Sequence, residues 1–181
     1  MREQEERDAM HLSDKLQAAL NEQVGNEFAA SLQYVALASY FDREDLKELA
    51  AFFYRQAEEE RDHAMKIVRF VVDADGSVHI PAVAAPKVGF RGAEEAVAHA
   101  LAGEEKVTTQ IYQLVEIANR EANYIAVRFL DWFVNEQFEE VSTMSSLLSV
   151  VRRAGEGQLL LVEEYLARGG GDPHVGAAET P

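Results

Sequence analysis

The chain has no cysteine among its 181 residues. Disulfides and thiolate metal sites are therefore excluded, and any metal held here is held by oxygen and imidazole. Positive charge is scarce as well. Seventeen lysines and arginines face 32 aspartates and glutamates, for a formal charge of −15. That balance argues against nucleic acid as a partner and favours cations, bound as ligands or drawn in by the field. No apolar run approaches the ~20 residues that span a bilayer. The N-terminal MREQEERDAM is charged throughout, where a secretory signal carries an apolar stretch. A cytoplasmic protein with no membrane partner is the expectation. Strand signals are nearly missing, because the β-branched residues are scattered and do not alternate.

What is present is helical periodicity over residues 12–41, 43–73, 92–119 and 122–153. A helix of about 30 residues runs about 45 Å, against an average of ~11–12 residues. The links at 41–44 and 119–122 leave room only for tight turns, so each pair of helices forms an antiparallel hairpin. Between the pairs lies ADGSVHIPAVAAPKVGFRG, with two prolines and three glycines. Extended, it reaches about 60 Å, enough to run the length of a bundle and set helices two and three parallel. The predicted fold class is all-α, a four-helix bundle with one long crossover loop. Gly155 and Gly157 end the fourth helix. QLLLVEEYLAR then predicts a short fifth helix, too short to be stable alone and suited to oligomer contacts. Gly169-Gly170-Gly171 opens a flexible tail. The expected division is a polar arm at 1–10, the bundle at 11–153, the fifth helix within 154–168 and the tail at 169–181.

The chemistry begins at Glu60 and His63. Alternating steps of three and four along the second helix pick out Leu46, Leu49, Phe53, Gln56, Glu60, His63, Ile67, Phe70 and Ala74. This seam is apolar at both ends and polar in the middle. A carboxylate buried without a partner is costly or titrates to neutrality, so such a seam calls for a cation. Glu-x-x-His sets two ligands one turn apart on one helix face. Glu27 falls on the heptad line Leu20, Glu27, Tyr34, Phe41, and Glu140 on the line Phe133, Glu140, Leu147, with Gln137 one turn before it. In the third helix Glu105 shares a line with Leu101, Thr108, Tyr112 and Val115, while Glu104 and Ile111 define an equally plausible line one residue back. Each helix thus offers an acid near its middle. Four carboxylates and one imidazole can hold two divalent ions, with Glu60 as the natural bridge. Oxygen ligands with one imidazole suit Fe(II), Mn(II) and, less selectively, Zn(II).

LNEQVGNEFAASLQY, QAEEERDHAM, GEEKVTTQIYQL and WFVNEQFEEV, in this order, resemble the four metal-bearing helices of haem-free bacterial ferritins, most of all the mycobacterial type. The resemblance covers roughly residues 12–168. It implies a ferritin-like bundle in which Glu27, Glu60 and His63 bind a first iron. It implies that Glu60, Glu105 and Glu140 bind a second, with Gln137 beside them. Glu59, Glu136 and Glu139 match the acids of a third iron site, Tyr34 the tyrosine next to the centre, and Trp132 a neighbouring tryptophan. The implied activity is iron storage and detoxification: a ferroxidase oxidises Fe(II) to Fe(III) with dioxygen or peroxide, and a 24-subunit homo-oligomeric shell stores the ferric mineral. Haem is not expected, because Arg61 stands where haem-binding relatives carry a methionine after the bridging glutamate. Those relatives also have a second Glu-x-x-His, where this chain has Gln137-Phe138-Glu139-Glu140. A di-iron oxidase acting on an organic substrate would favour that missing histidine. A mini-ferritin would lack the fifth helix.

Overall fold

The computed structural model describes residues 11–170; the expected arm at 1–10 and the tail from residue 171 lie outside them. Four long helices dominate: α1 (Asp14–Arg43), α2 (Lys47–Asp73), α3 (Ala93–Arg120) and α4 (Tyr124–Ala154). A 3₁₀ turn at Glu156–Gln158 leads into the short α5 (Leu159–Ala167). α1 packs chiefly on α2 and α3 on α4, and contact between α1 and α3 joins the two hairpins. The all-α bundle with one crossover and a fifth helix is the expected one. No helix among the described residues is long and apolar enough to cross a membrane.

The helix ends follow local chemistry. Ser13 caps α1 by accepting from the Leu16 amide at 3.0 Å, and Asn123 caps α4 by accepting from Ala126 at 3.0 Å. α1, α2 and α3 all stop with one residue in the left-handed region: Asp45, Asp75 and Ala122, at φ 57°, 56° and 53°. The following amide then reaches back five residues, Leu46 to Phe41 at 3.0 Å, Gly76 to Val71 at 2.8 Å and Asn123 to Ala118 at 3.0 Å. These bonds satisfy carbonyls that a helix end otherwise leaves open, and they turn the chain.

The crossover at 74–92 is extended and pinned to α1. Gln17 accepts from the Ser77 amide, and Asn21 both donates to the Ser77 carbonyl and accepts from the His79 amide. Further along, Gln33 donates to the Lys87 carbonyl and accepts from its amide. Side-chain amides on one helix thereby supply the partners that a strand would take from a sheet. Pro81 lies so close to α1 that a Cβ on Gly25 would sit 2.4 Å from its Cγ.

α5 is anchored by a carboxylate. Glu163 accepts from the Glu48 and Leu49 amides at 2.8 and 2.9 Å, capping the N-terminus of α2, which has no side-chain cap of its own. A negative charge there also complements the helix dipole. Val162 and Leu166 bury the apolar side of α5.

The core falls into two hydrophobic clusters. One holds Leu37, Phe41, Phe53, Ala100, Met144, Leu147 and Val162. The other holds Leu16, Val24, Ile67, Val107, Ile111, Leu130 and Phe133. Between them lies a polar layer crossing all four long helices.

Candidate metal centre

The layer is built from Glu27 on α1, Glu60 and His63 on α2, Glu104 on α3, and Gln137 and Glu140 on α4, all buried. Each sits near the middle of its helix, so antiparallel pairing within each hairpin brings the four levels together. Among the described residues, no lysine or arginine is buried with them.

Oxygen and nitrogen atoms of Glu27, Glu60 and His63 lie within 4.8 Å of one another, as do those of His63, Glu136 and Glu140. Glu60 occupies the centre, touching Glu27 on one side and Glu104 on the other. Gln23 donates to Glu27 Oε1 at 2.9 Å. Tyr34 donates its hydroxyl to Glu104 Oε1, and Gln137 Nε2 lies 3.4 Å from Glu104 Oε2. Thr108 donates to Gln137 Oε1 at 2.9 Å. Two carboxylate oxygens, Glu27 Oε2 and Glu60 Oε2, are buried with no hydrogen-bond donor. Buried acceptors of that kind are rare and costly, and a cation placed between them satisfies both.

Electrostatics point the same way. Burial, opposed by hydrogen bonds from Glu60 and Gln23, pushes Glu27 up to about 7. Burial and the charges of Glu104, Glu59, Glu136 and Glu27 push Glu140 up to about 9. Glu60 and Glu104 are raised, also mainly by burial. Tyr34 is raised by burial and the surrounding carboxylates, so it stays a phenol. His63 is pushed down to about 4 by burial and the charge of Lys66. Its Nδ1 lies 3.4 Å from Glu60 Oε2, the geometry of an ion pair. With the imidazole neutral and Glu60 itself raised, no ion pair forms at neutral pH, and the imidazole lone pair is available to a metal. Trp132 meets His63 edge-on at 5.4 Å, with Lys66 Nζ 3.7 Å from the indole centroid.

Most of the expected residues converge here; Glu105 and Glu139 do not. Glu105 is exposed, and the α3 position in the layer belongs to Glu104. The buried line of α3 runs Ala96, Ala100, Glu104, Val107, Ile111, Leu114 and Ala118, and Tyr112, placed on the seam with Glu105, is 56% exposed. The Glu104–Ile111 line is the correct phase. Glu59 and Glu136 are half-buried at the edge of the layer. Glu59 accepts from Gln56, and Glu136 Oε1 lies 3.8 Å from His63 Nε2. Both acids act electrostatically on Glu140. Glu139 is exposed, and no hydrogen bond or ion pair among the described residues joins it to the group. Gln23 was not singled out in the sequence, and Thr108 appeared only as a member of the Glu105 seam, since a glutamine or threonine on a helix carries no role until its neighbour is known.

Comparison with known proteins agrees with this architecture. The family model described as a ferritin-like domain matches residues 17–154. Ferritin BfrB of Mycobacterium tuberculosis is 45% identical over 154 residues, covering 85% of this chain and 84% of its own length. The bacterial non-heme ferritin of Staphylococcus aureus is 38% identical over 157 residues, covering 86% and 95%. Among solved structures, an open pore ferritin from the hyperthermophilic archaeon Archaeoglobus fulgidus superposes with a TM-score of 0.84 at 34% identity, over 88% of this chain and 98% of that one.

Proposed function

We propose that this chain, which belongs to the ferritin family, oxidises Fe(II) to Fe(III) at a two-iron centre inside its own bundle. Copies of it assemble into a shell of 24 subunits that keeps the ferric product as mineral. Iron storage is what membership of the family supports; the ferroxidase step is read from the polar layer. One observation carries it: four carboxylates from four helices and a neutral imidazole share a buried layer that supplies no positive charge. Two divalent ions restore the balance, and entering iron displaces the protons that otherwise hold the acids neutral.

In this reading Glu27, Glu60 and His63 take one iron, and Glu60, Glu104 and Glu140 the other, with Gln137 as a neutral neighbour. Carboxylates gain attraction as iron passes from +2 to +3. Two irons held on a shared Glu60 give up one electron each. A dioxygen then accepts two electrons and two protons and leaves as hydrogen peroxide, with no one-electron step to superoxide. Peroxide, used as the oxidant instead, accepts two electrons and two protons and leaves as two waters. The protein contributes position and field. Glu59 and Glu136, beside Glu140, offer a third iron a place at the edge of the layer, with Glu139 exposed further along α4. Weak ligation on the α4 side suits a site that must pass its product on.

The test combines size-exclusion mass with aerobic Fe(II) oxidation, for wild type and Glu60→Ala. A large assembly that oxidises many irons per chain, with a slow but still assembled variant, is expected. A monomer that oxidises no iron overturns the reading, and a cage that stops at two irons per chain overturns the storage step.

A further inference from the structure

We infer that Thr108 is a positioning residue that allows Gln137 to serve the layer in two orientations. Gln137 donates to Glu104 while no cation is bound and becomes a neutral oxygen ligand once one enters. The inference rests on the reading of the layer as a metal centre.

In the structure the amide nitrogen of Gln137 faces Glu104 Oε2 at 3.4 Å, while its oxygen receives the Thr108 hydroxyl at 2.9 Å. The only ligating atom of the side chain is therefore turned away from the carboxylate. An ion held by Glu104 would meet an N–H group, which has no lone pair to offer and carries positive partial charge. The oxygen reaches the ion if the amide turns by about half a rotation about its Cγ–Cδ bond, which exchanges oxygen and nitrogen and moves little else.

After that turn the nitrogen faces Thr108 and needs an acceptor. Thr108 can supply one. A hydroxyl has one proton and two lone pairs, and Thr108 Oγ1 also lies 2.8 Å from the main-chain carbonyl of Glu104. With the amide turned, the hydroxyl donates to that carbonyl and accepts from Gln137 Nε2. Before the turn it donates to Gln137 Oε1, and its single proton cannot serve the carbonyl as well. The threonine thus makes one bond in the metal-free orientation and two in the ligating one. It favours loading by about one hydrogen bond, worth roughly a two- to tenfold change in affinity. Neither orientation strands the buried amide.

The effect belongs to one of the two ions. Glu27, Glu60 and His63 make no hydrogen bond to Thr108 among the described residues, so the ion they hold should feel its loss far less. The ion on the Glu104 and Glu140 side feels it directly.

Anaerobic titration with Co(II), followed by calorimetry and by its visible absorption, reads both sites without oxidation. Wild type is expected to bind two ions per chain. Thr108→Val keeps the hydroxyl's shape without its hydrogen bonds and should weaken only one ion, by roughly two- to tenfold. Thr108→Ser should restore it. Thr108→Ala, which cannot overfill the site, should repeat the valine result and stands in for it if the valine variant misfolds. Equal weakening of both ions in both variants, or failure of serine to rescue, would reduce Thr108 to a structural residue and overturn the inference. Unchanged binding in Thr108→Val overturns it while leaving the metal centre standing. Wild type that binds no Co(II) overturns the metal centre, and this inference falls with it.

Discussion

Glu140→Gln replaces a buried ionisable carboxyl with a neutral amide while keeping the size and shape of the side chain. Glu140 is pushed up to about 9, first by burial and then by Glu104, Glu59, Glu136 and Glu27. A carboxyl raised in the folded state contributes stability in full below its ordinary value of 4.5, and that contribution is lost as pH rises through about 9. Between pH 4.5 and 7.5 the unfolded chain releases its proton and the folded chain keeps it, at about 1.4 kcal/mol per pH unit. The wild type thus gives up as much as about 4 kcal/mol at pH 7.5, and about 1 kcal/mol at pH 5.5. Glutamine has nothing to titrate, and its N–H group finds carboxylates to donate to. The metal-free variant should therefore be more stable by about 2–4 kcal/mol at pH 7.5, which raises Tm by about 5–15 °C in a chain of this size. At pH 5.5 the gain should shrink to about 1 kcal/mol. Circular dichroism melts of chelator-treated protein at the two pH values measure this. Divalent metal should reverse the order, because ligand binding stabilises only a fold that can hold it. A variant that melts lower than wild type at pH 7.5, or gains equally at both pH values, refutes the claim that holding this buried carboxyl protonated costs the metal-free fold stability.

Three further outcomes follow from other parts of the molecule. With Glu27 titrating at about 7 and His63 at about 4, metal-free stability should decline as pH rises from 5.5 through 7 towards 9. His63, lowered in the fold, contributes in full above its ordinary 6.5, and its contribution fades as pH falls through 4. A pH series of melts should show a maximum on the acid side of neutrality. Gly25→Ala drives a methyl into Pro81 and should cost about 1–3 kcal/mol, with faster proteolysis in the crossover than in wild type; an unchanged melt and digest would mean the loop yields freely. Glu163→Ala uncaps α2 and should cost about 1–2 kcal/mol, with faster amide exchange in α5 and at Glu48 and Leu49.

The long helices and the crossover were legible because their signals are local and repeated. A heptad line thirty residues long survives a few ambiguous positions, and two prolines with three glycines mark the break. The run Leu49, Phe53, Gln56, Glu60, His63, Ile67 is buried in the structure as its spacing indicates. α3 was the weak point. Its first half carries Ala93, Ala96, Ala98, Ala100 and Ala102, and alanines mark no face strongly. A shift of one residue then separates Glu104 from Glu105. The helix ends were also hard to read, since Asp45, Asp75 and Ala122 adopt a backbone usually left to glycine.

Sequence alone was enough for four amphipathic helices, their connections and a polar interruption in an apolar seam, since helix period and loop length are properties of neighbouring residues. Only the tertiary structure decided that Glu104 and not Glu105 enters the layer, that Glu139 stays outside, and that Gln23, Tyr34 and Thr108 hold the inner groups. It also decided that Glu163 caps α2 from 115 positions away. These depend on the rotation of each helix about its own axis and on partners far away in the chain. Packing of α3 against α1 and α4 sets that rotation, and no local pattern in an alanine-rich segment encodes it.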